Sequence, residues 1–125
     1  MEAWVTPNLV ESLAGVIDVA IALANADFGN IQLRDSEGRL RIIAQRNLPD
    51  WWLAYWESVA EGKGVCGTAL AESRPLFIPD VAQSPIFADQ ASLEIQQRAG
   101  IRAVFSIPIR DKGGECIGMF STHYR

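Results

Sequence analysis

The chain has 125 residues, of which 49% are hydrophobic and 21% charged, values that describe one globular domain and exclude a disordered tail or a collagen-like chain. Its 11 Lys and Arg stand against 15 Asp and Glu, for a net charge of −4. With no basic cluster, it lacks the positive surface that dedicated nucleic-acid binding requires.

At the N-terminus, Met1-Glu2-Ala3-Trp4 offers no basic region ahead of an apolar core, so it does not read as a signal peptide. Thr6 followed by Pro7 is a helix start, with a hydroxyl cap and proline at the first helical position. The segment that follows carries two apolar stripes at helical spacing: Leu9, Leu13, Val16, Ala20 and Leu23, and Val10, Ala14, Ile17, Ile21 and Ala24. That arc is wider than one core contact needs. Its longest apolar run, Val16 to Ala24, is broken by Asp18 and is too short to cross a bilayer, so no direct membrane contact is expected.

Two strand-like runs come next, Phe28–Arg34 and Leu40–Arg46, joined by the turn Asp35-Ser36-Glu37-Gly38 into an antiparallel hairpin. Pro49 to Val59 reads as a short helix ended by Gly62-Lys63-Gly64, and Val65–Ser73 as another. Pro75–Pro79 is a short apolar strand that its prolines assign to a sheet edge, and Asp80–Phe87 a loop. Asp89 caps a helix running to Ala99 with Gly100 as its stop. Arg102–Arg110 and Glu115–Tyr124 form a second hairpin around Asp111-Lys112-Gly113-Gly114. Hairpins separated by a helical insertion predict an α+β fold on an antiparallel sheet of about five to six strands.

Several residues invite a chemical reading. Gly62-Lys63-Gly64-Val65-Cys66-Gly67 matches the GxGxxG spacing of dinucleotide sites, but a helix precedes it and the later strands pair as hairpins, so the parallel βαβ context is missing. The glycines then stand for a tight turn and close packing, or for bare N–H groups at a helix start. Cys66, in the first turn of that helix, is either a thiol of lowered pKa or a small buried hydrophobe, and the second reading is preferred. Cys66 and Cys116 are far apart in sequence and form neither a disulfide framework nor a zinc spacing, which fits reduced thiols in the cytoplasm. Cys116 and His123 lie an odd number of positions apart, so on a regular strand they face opposite sides. His123 is kept as a pocket candidate because its ordinary pKa lies near neutrality. Trp51, Trp52, Tyr55 and Trp56 form the densest aromatic cluster, with Trp52 meeting Trp56 and Trp51 meeting Tyr55 at helical spacing. Asp80 and Asp89 read as caps or as carboxylates beside apolar walls made by Ile78, Phe87 and Phe105. No nucleophile elbow, phosphate loop or metal-ligand spacing is present, so neither cofactor nor metal is expected.

Four segments together resemble a GAF domain of the bacterial sensor histidine kinase and signalling type. They are Gly64-Val65-Cys66-Gly67-Thr68-Ala69, Ile78-Pro79-Asp80-Val81, the run from Ala99 to Ile109, and Gly118-Met119-Phe120-Ser121-Thr122-His123, and the hairpin segment Ala26 to Leu33 fits as well. The resemblance spans residues 9 to 125. It implies a central antiparallel sheet with helices on both faces, a small-molecule pocket on one face, and regulation by ligand binding. Free methionine-(R)-sulfoxide reductases in the same family also carry a G-V-C-G-T-A segment. Their reactive cysteine lies in an I-A-C-D-A-A-S type segment, where this chain has Ala88 within Ile86 to Ser92, so no such activity is expected. The adjacent Cys-His pair of bilin-binding members and the signature of cyclic-nucleotide binders are missing too.

The reading is therefore a cytoplasmic sensory domain, not an enzyme, that binds an unidentified small molecule between the sheet and the helices Val65–Ser73 and Asp89–Ala99. The expected walls are Trp56, Ile78, Phe87, Phe105 and Met119, and the polar groups Cys66, Asp80, Asp89, Ser106, Ser121 and His123. The alternatives are a ligand-free module that dimerises through the spare stripe of the first helix, and a redox enzyme using Cys66 and Cys116. GAF domains usually close with a helix after the last strand. This chain stops at His123-Tyr124-Arg125, so the expectation is a single domain lacking that helix, a fragment of a larger signalling protein.

Overall fold

The computed structural model describes residues 5–60 and 62–125; the segment Met1 to Trp4, read above as no signal peptide, lies outside the described residues. In chain order the elements are α1 (Pro7–Ala24), β1 (Phe28–Arg34), β2 (Leu40–Arg46), α2 (Asp50–Tyr55), α3 (Gly64–Glu72), β3 (Leu76–Ile78), α4 (Gln90–Arg98), β4 (Ala103–Arg110) and β5 (Cys116–Tyr124). The five strands form one antiparallel sheet in the order β2-β1-β5-β4-β3. The two predicted hairpins are thus joined edge to edge by β1 pairing with β5, and β3 with its flanking prolines sits at the edge as expected.

Local chemistry sets the helix ends. The Thr6 hydroxyl accepts from the Leu9 N–H at 3.2 Å, and Asn25 closes α1 in the left-handed region. Asp89 caps α4 by accepting from the Ala91 N–H at 3.2 Å. The helix predicted over residues 49–59 stops at Tyr55, because the Val59 backbone leaves it to exchange two hydrogen bonds with Leu40, at 2.8 and 2.9 Å. The expected loop Asp80–Phe87 contains two single 3₁₀ turns, Val81–Gln83 and Pro85–Phe87, each started by a side chain that accepts from the backbone, Asp80 and Ser84.

Strand alternation sends side chains to two different cores. On one face Ile31, Leu33, Ile43 and Ala44 pack with Ile17 of α1, supported by Leu13, Ala14 and Ile21. On the other face Phe28, Val104 and Met119 pack with Leu40, Trp52, Trp56, Val65, Ala69, Leu70, Phe87 and Ile101 under α2, α3 and α4. Only Ile17 of α1 is fully buried; Val16, Val19 and Leu23 are 51%, 59% and 85% exposed. The stripe holding Ala14, Ile17 and Ile21 therefore faces the sheet, while the other is split, with Leu13 packed beside it and Val16 and Leu23 exposed next to Val19, which belongs to neither. As a complete 18-residue helix, α1 is long and apolar enough to cross a membrane by length and composition alone, which corrects the reading of this region as too short. Its inner side is occupied by the sheet.

A second correction concerns Cys116. A register shift near the start of β5 pairs Ile109 with Gly118 and Arg110 with Cys116, leaving Ile117 as an extra residue. The bulge breaks the alternation, and Cys116 packs in the same core cluster as Met119.

Candidate ligand-binding site

The roofed face of the sheet is polar at its centre. Alternation places Asn30 and Gln32 of β1, Ser106 of β4 and Ser121 and His123 of β5 on this face, and all five are at least 98% buried. The roof above them comprises Trp52 and Trp56, Val65 and Cys66 at the start of α3, Phe87 from the second 3₁₀ turn, and Gln96 of α4. Between roof and floor is a small cavity of about 20 Å³, room for a single water.

Most polar groups here have protein partners. Cys66 Sγ lies 3.1 Å from Ser121 Oγ and 3.5 Å from Ser106 Oγ, and the two hydroxyls are 2.7 Å apart. Trp52 Nε1 donates to Gln96 Oε1 at 2.6 Å, and the Tyr55 hydroxyl meets Ser92 Oγ at 2.9 Å, so α2 and α4 are joined twice. His123 Nε2 is 3.2 Å from Asn30 Oδ1, and the imidazole stands edge-on to the Trp52 ring with centroids 5.2 Å apart. Among the described residues, four buried polar atoms have no partner: Asn30 Nδ2, Gln32 Oε1, Trp56 Nε1 and His123 Nδ1. Native interiors leave few such groups, because each costs roughly 1–3 kcal/mol when unmet.

Burial dominates the ionisation of the site. It pushes the His123 pKa down from 6.5 to about 3, so the ring is neutral near pH 7. Burial also raises the Cys66 thiol pKa, with the Ser106 and Ser121 hydrogen bonds opposing it. The first turn of α3 thus holds a half-buried, protonated thiol. Outside the cavity, the Ser92 hydroxyl and the Ala91 N–H hold the Asp89 carboxyl below its usual range.

The glycines of the GxGxxG run serve packing. Gly64 has φ +66, and a Cβ there would meet the Trp56 ring at 2.9 Å; at Gly67 a Cβ would sit 2.4 Å from the Ala60 carbonyl oxygen. Both positions let the chain turn tightly into α3 and carry Trp56 against it. Among the described residues, no group of three or more His, Cys, Asp or Glu could hold a metal ion.

Of the expected site residues, Trp56, Cys66, Phe87 and His123 line the cavity. Ser106 and Ser121 touch Cys66 from the floor, Met119 lies buried in the same core, and Ile78 packs half-buried beside it. Phe105 is a correction: next to inward-facing Val104 and Ser106, it points to the α1 face and meets Phe77 with ring centroids 5.9 Å apart. Asp80 and Asp89 are also corrected, since each spends its carboxylate on capping a turn and neither lines the cavity; Asp80 faces Arg102 at 3.7 Å. Sequence reasoning missed Asn30, Gln32, Trp52, Lys63 and Gln96. The signal for the first two was present in β1, where Asn30 and Gln32 alternate with Ile31 and Leu33. On an open sheet that pattern means a solvated face, and only the roof makes it a buried one.

The family model described as GAF domain matches residues 8–125. No curated protein matches the chain in sequence. Among solved structures, the chain is similar to a domain of a putative two-component sensor histidine kinase from Sinorhizobium meliloti, with 23% identity, TM-score 0.74, and coverage of 92% of this chain and 72% of that one. It is similar to the GAF domain region of a putative membrane protein from Geobacter sulfurreducens, at 22% identity and TM-score 0.78, covering 96% and 78%. A free methionine-R-sulfoxide reductase from Neisseria meningitidis, solved with its substrate, is 22% identical with TM-score 0.71, covering 92% of this chain and 62% of the enzyme.

Proposed function

Because the chain belongs to the GAF family, we propose that it is a cytoplasmic sensory domain of a larger signalling protein, whose roofed pocket binds a small molecule. The observation that carries this reading is the buried polar floor beneath Trp52, Trp56 and Phe87, with unpartnered atoms on Asn30, Gln32 and His123 below and on Trp56 above. A fold needs no such floor, since an apolar one would pack without the desolvation cost. With room for one water, the cavity has to widen for a ligand. The segment able to move is the pair of 3₁₀ turns from Val81 to Phe87, which carries one wall of the cavity on short, irregular structure. A thermal-shift screen of small anions, nucleotides, amino acids and aromatic compounds tests the reading: at least one class raises the melting temperature in a saturable way. Absence of any saturable shift refutes it.

The domain acts without catalysis in this reading. Ala88 occupies the position of the reductase nucleophile, and Cys66 is held as a thiol. Free methionine sulfoxide is therefore not turned over; measured turnover would overturn this assignment.

A second role, dimerisation through α1, is supported by the exposed Val16, Val19 and Leu23 and by an adjoining groove lined by Ala20, Ala24, Phe105, Ile107 and Phe120. Continuous exposed apolar surface of this kind marks an interaction site. Light scattering across a wide concentration range tests it, and a monomer throughout rejects it.

A further inference from the structure

Resting on the pocket reading above, we propose that the ligand is an uncharged small molecule that both donates and accepts hydrogen bonds, of the amide, lactam or urea kind, rather than an anion. The unpartnered atoms decide this. Trp56 Nε1 can only donate and Gln32 Oε1 can only accept. Asn30 Oδ1 accepts from His123 Nε2, which leaves Asn30 Nδ2 as a free donor and His123 Nδ1 as a free lone pair. Turning the Asn30 amide over exchanges the two roles, yet the pair still offers one donor and one acceptor. Of these residues Trp56, Gln32 and His123 line the cavity, and Trp56 and Gln32 already ask for one acceptor and one donor.

An anion supplies acceptors only. It would satisfy Trp56 but bring its charge against the lone pair of Gln32. The neutral state of His123 adds no positive charge to offset this. The cationic residue among the lining groups is Lys63, an exposed side chain whose charge acts on Asp89 outside the cavity. A cation fares no better, because no carboxylate among the described residues lines the cavity. A planar amide carries N–H and C=O side by side, and the flat rings of Trp52, Trp56 and Phe87 match its faces.

Isosteric pairs isolate the charge. The chain is titrated with acetamide against acetate and with benzamide against benzoate, with nitrate as a further anion, reading the melting temperature and the Trp56 indole N–H resonance. The amides should shift both saturably, and the anions should bind at least about tenfold more weakly, the loss expected when buried polar groups stay unpaired. Gln32→Met, close in volume, should abolish the amide shift while the ligand-free protein melts at the same or a higher temperature; Trp56→Phe provides a second variant that loses the donor together with part of the ring. Tighter binding of the carboxylates or of nitrate overturns the inference while leaving a ligand pocket in place. No binding by either class, with the indole resonance unmoved, overturns the inference, and if the wider compound screen is also silent the pocket reading falls with it. A lower melting temperature for Gln32→Met with amide binding intact would assign Gln32 to folding and also overturn the inference.

Discussion

The two faces of the sheet come from the same alternating strands but are built in opposite ways. The α1 face joins Ile17 to Ile31, Leu33, Ile43 and Ala44 in an apolar cluster covered by one helix. The roofed face places Asn30, Gln32, Ser106, Ser121 and His123 beneath three short helices and two 3₁₀ turns. The first face is what stability alone asks of a sheet. The second gives up stability to keep polar groups dry, and families retain such arrangements where a site must recognise something. The single thick helix also leaves an apolar outer side, whereas the roof side is closed.

Truncation on the apolar face should give the largest effect. Ile17→Ala removes a fully buried side chain and should cost about 2–5 kcal/mol in chemical denaturation, the range for large-to-small core substitutions. A loss well under that range would mean α1 is not anchored through this contact. On the roofed side, Trp52→Phe strips the donor from Gln96 Oε1 and should cost about 1–3 kcal/mol, as expected for a buried acceptor left unmet. A double-mutant cycle with Gln96→Leu should show the two effects to be strongly non-additive; additivity would deny the hydrogen bond its weight.

The pH response sharpens the contrast, because it belongs to the roofed face. His123 is depressed from 6.5 to about 3 in the folded protein, so below pH 6.5 the unfolded chain binds a proton that the folded one refuses. Its contribution is constant above that pH and is lost progressively as pH falls toward 3, by up to about 1.4 kcal/mol per pH unit. Denaturation midpoints between pH 7 and 5 measure this, and His123→Gln should flatten the slope. An unchanged slope in the variant would show that the ring is not buried neutral. The smallest stability effect is expected on the exposed side of α1. Leu23→Ser and Val19→Ser should change stability by less than about 0.5 kcal/mol, as exposed substitutions do, yet shift any self-association seen by light scattering. If association is unaffected, the outer stripe is not the contact.

The candidate residues fall inside or outside the cavity for specific reasons. Trp56, Cys66, Phe87 and His123 were legible because motifs and aromatic density drew attention to them, and all four line the cavity. Phe105 was misplaced because its neighbours in sequence, Val104 and Ser106, are the residues that face inward. Asp80 and Asp89 looked equally suited to capping and to binding, and the backbone N–H groups of Ala82 and Ala91 claimed them. Asn30, Gln32 and Gln96 passed unnoticed because polar side chains carry no sequence mark of burial.

By itself the sequence determined the order of elements, the two hairpins, the cap residues, the edge position of β3 and the family. These follow from short-range physics: strand alternation, helix capping and turn chemistry act over a few residues. Tertiary structure alone decided that β1 lies against β5, that a bulge turns Cys116 inward, and that one polar face is sealed under aromatic rings. Those outcomes depend on which distant surfaces meet, and burial, which sets the neutral charge of His123 and the unmet hydrogen bonds around it, exists only once they do.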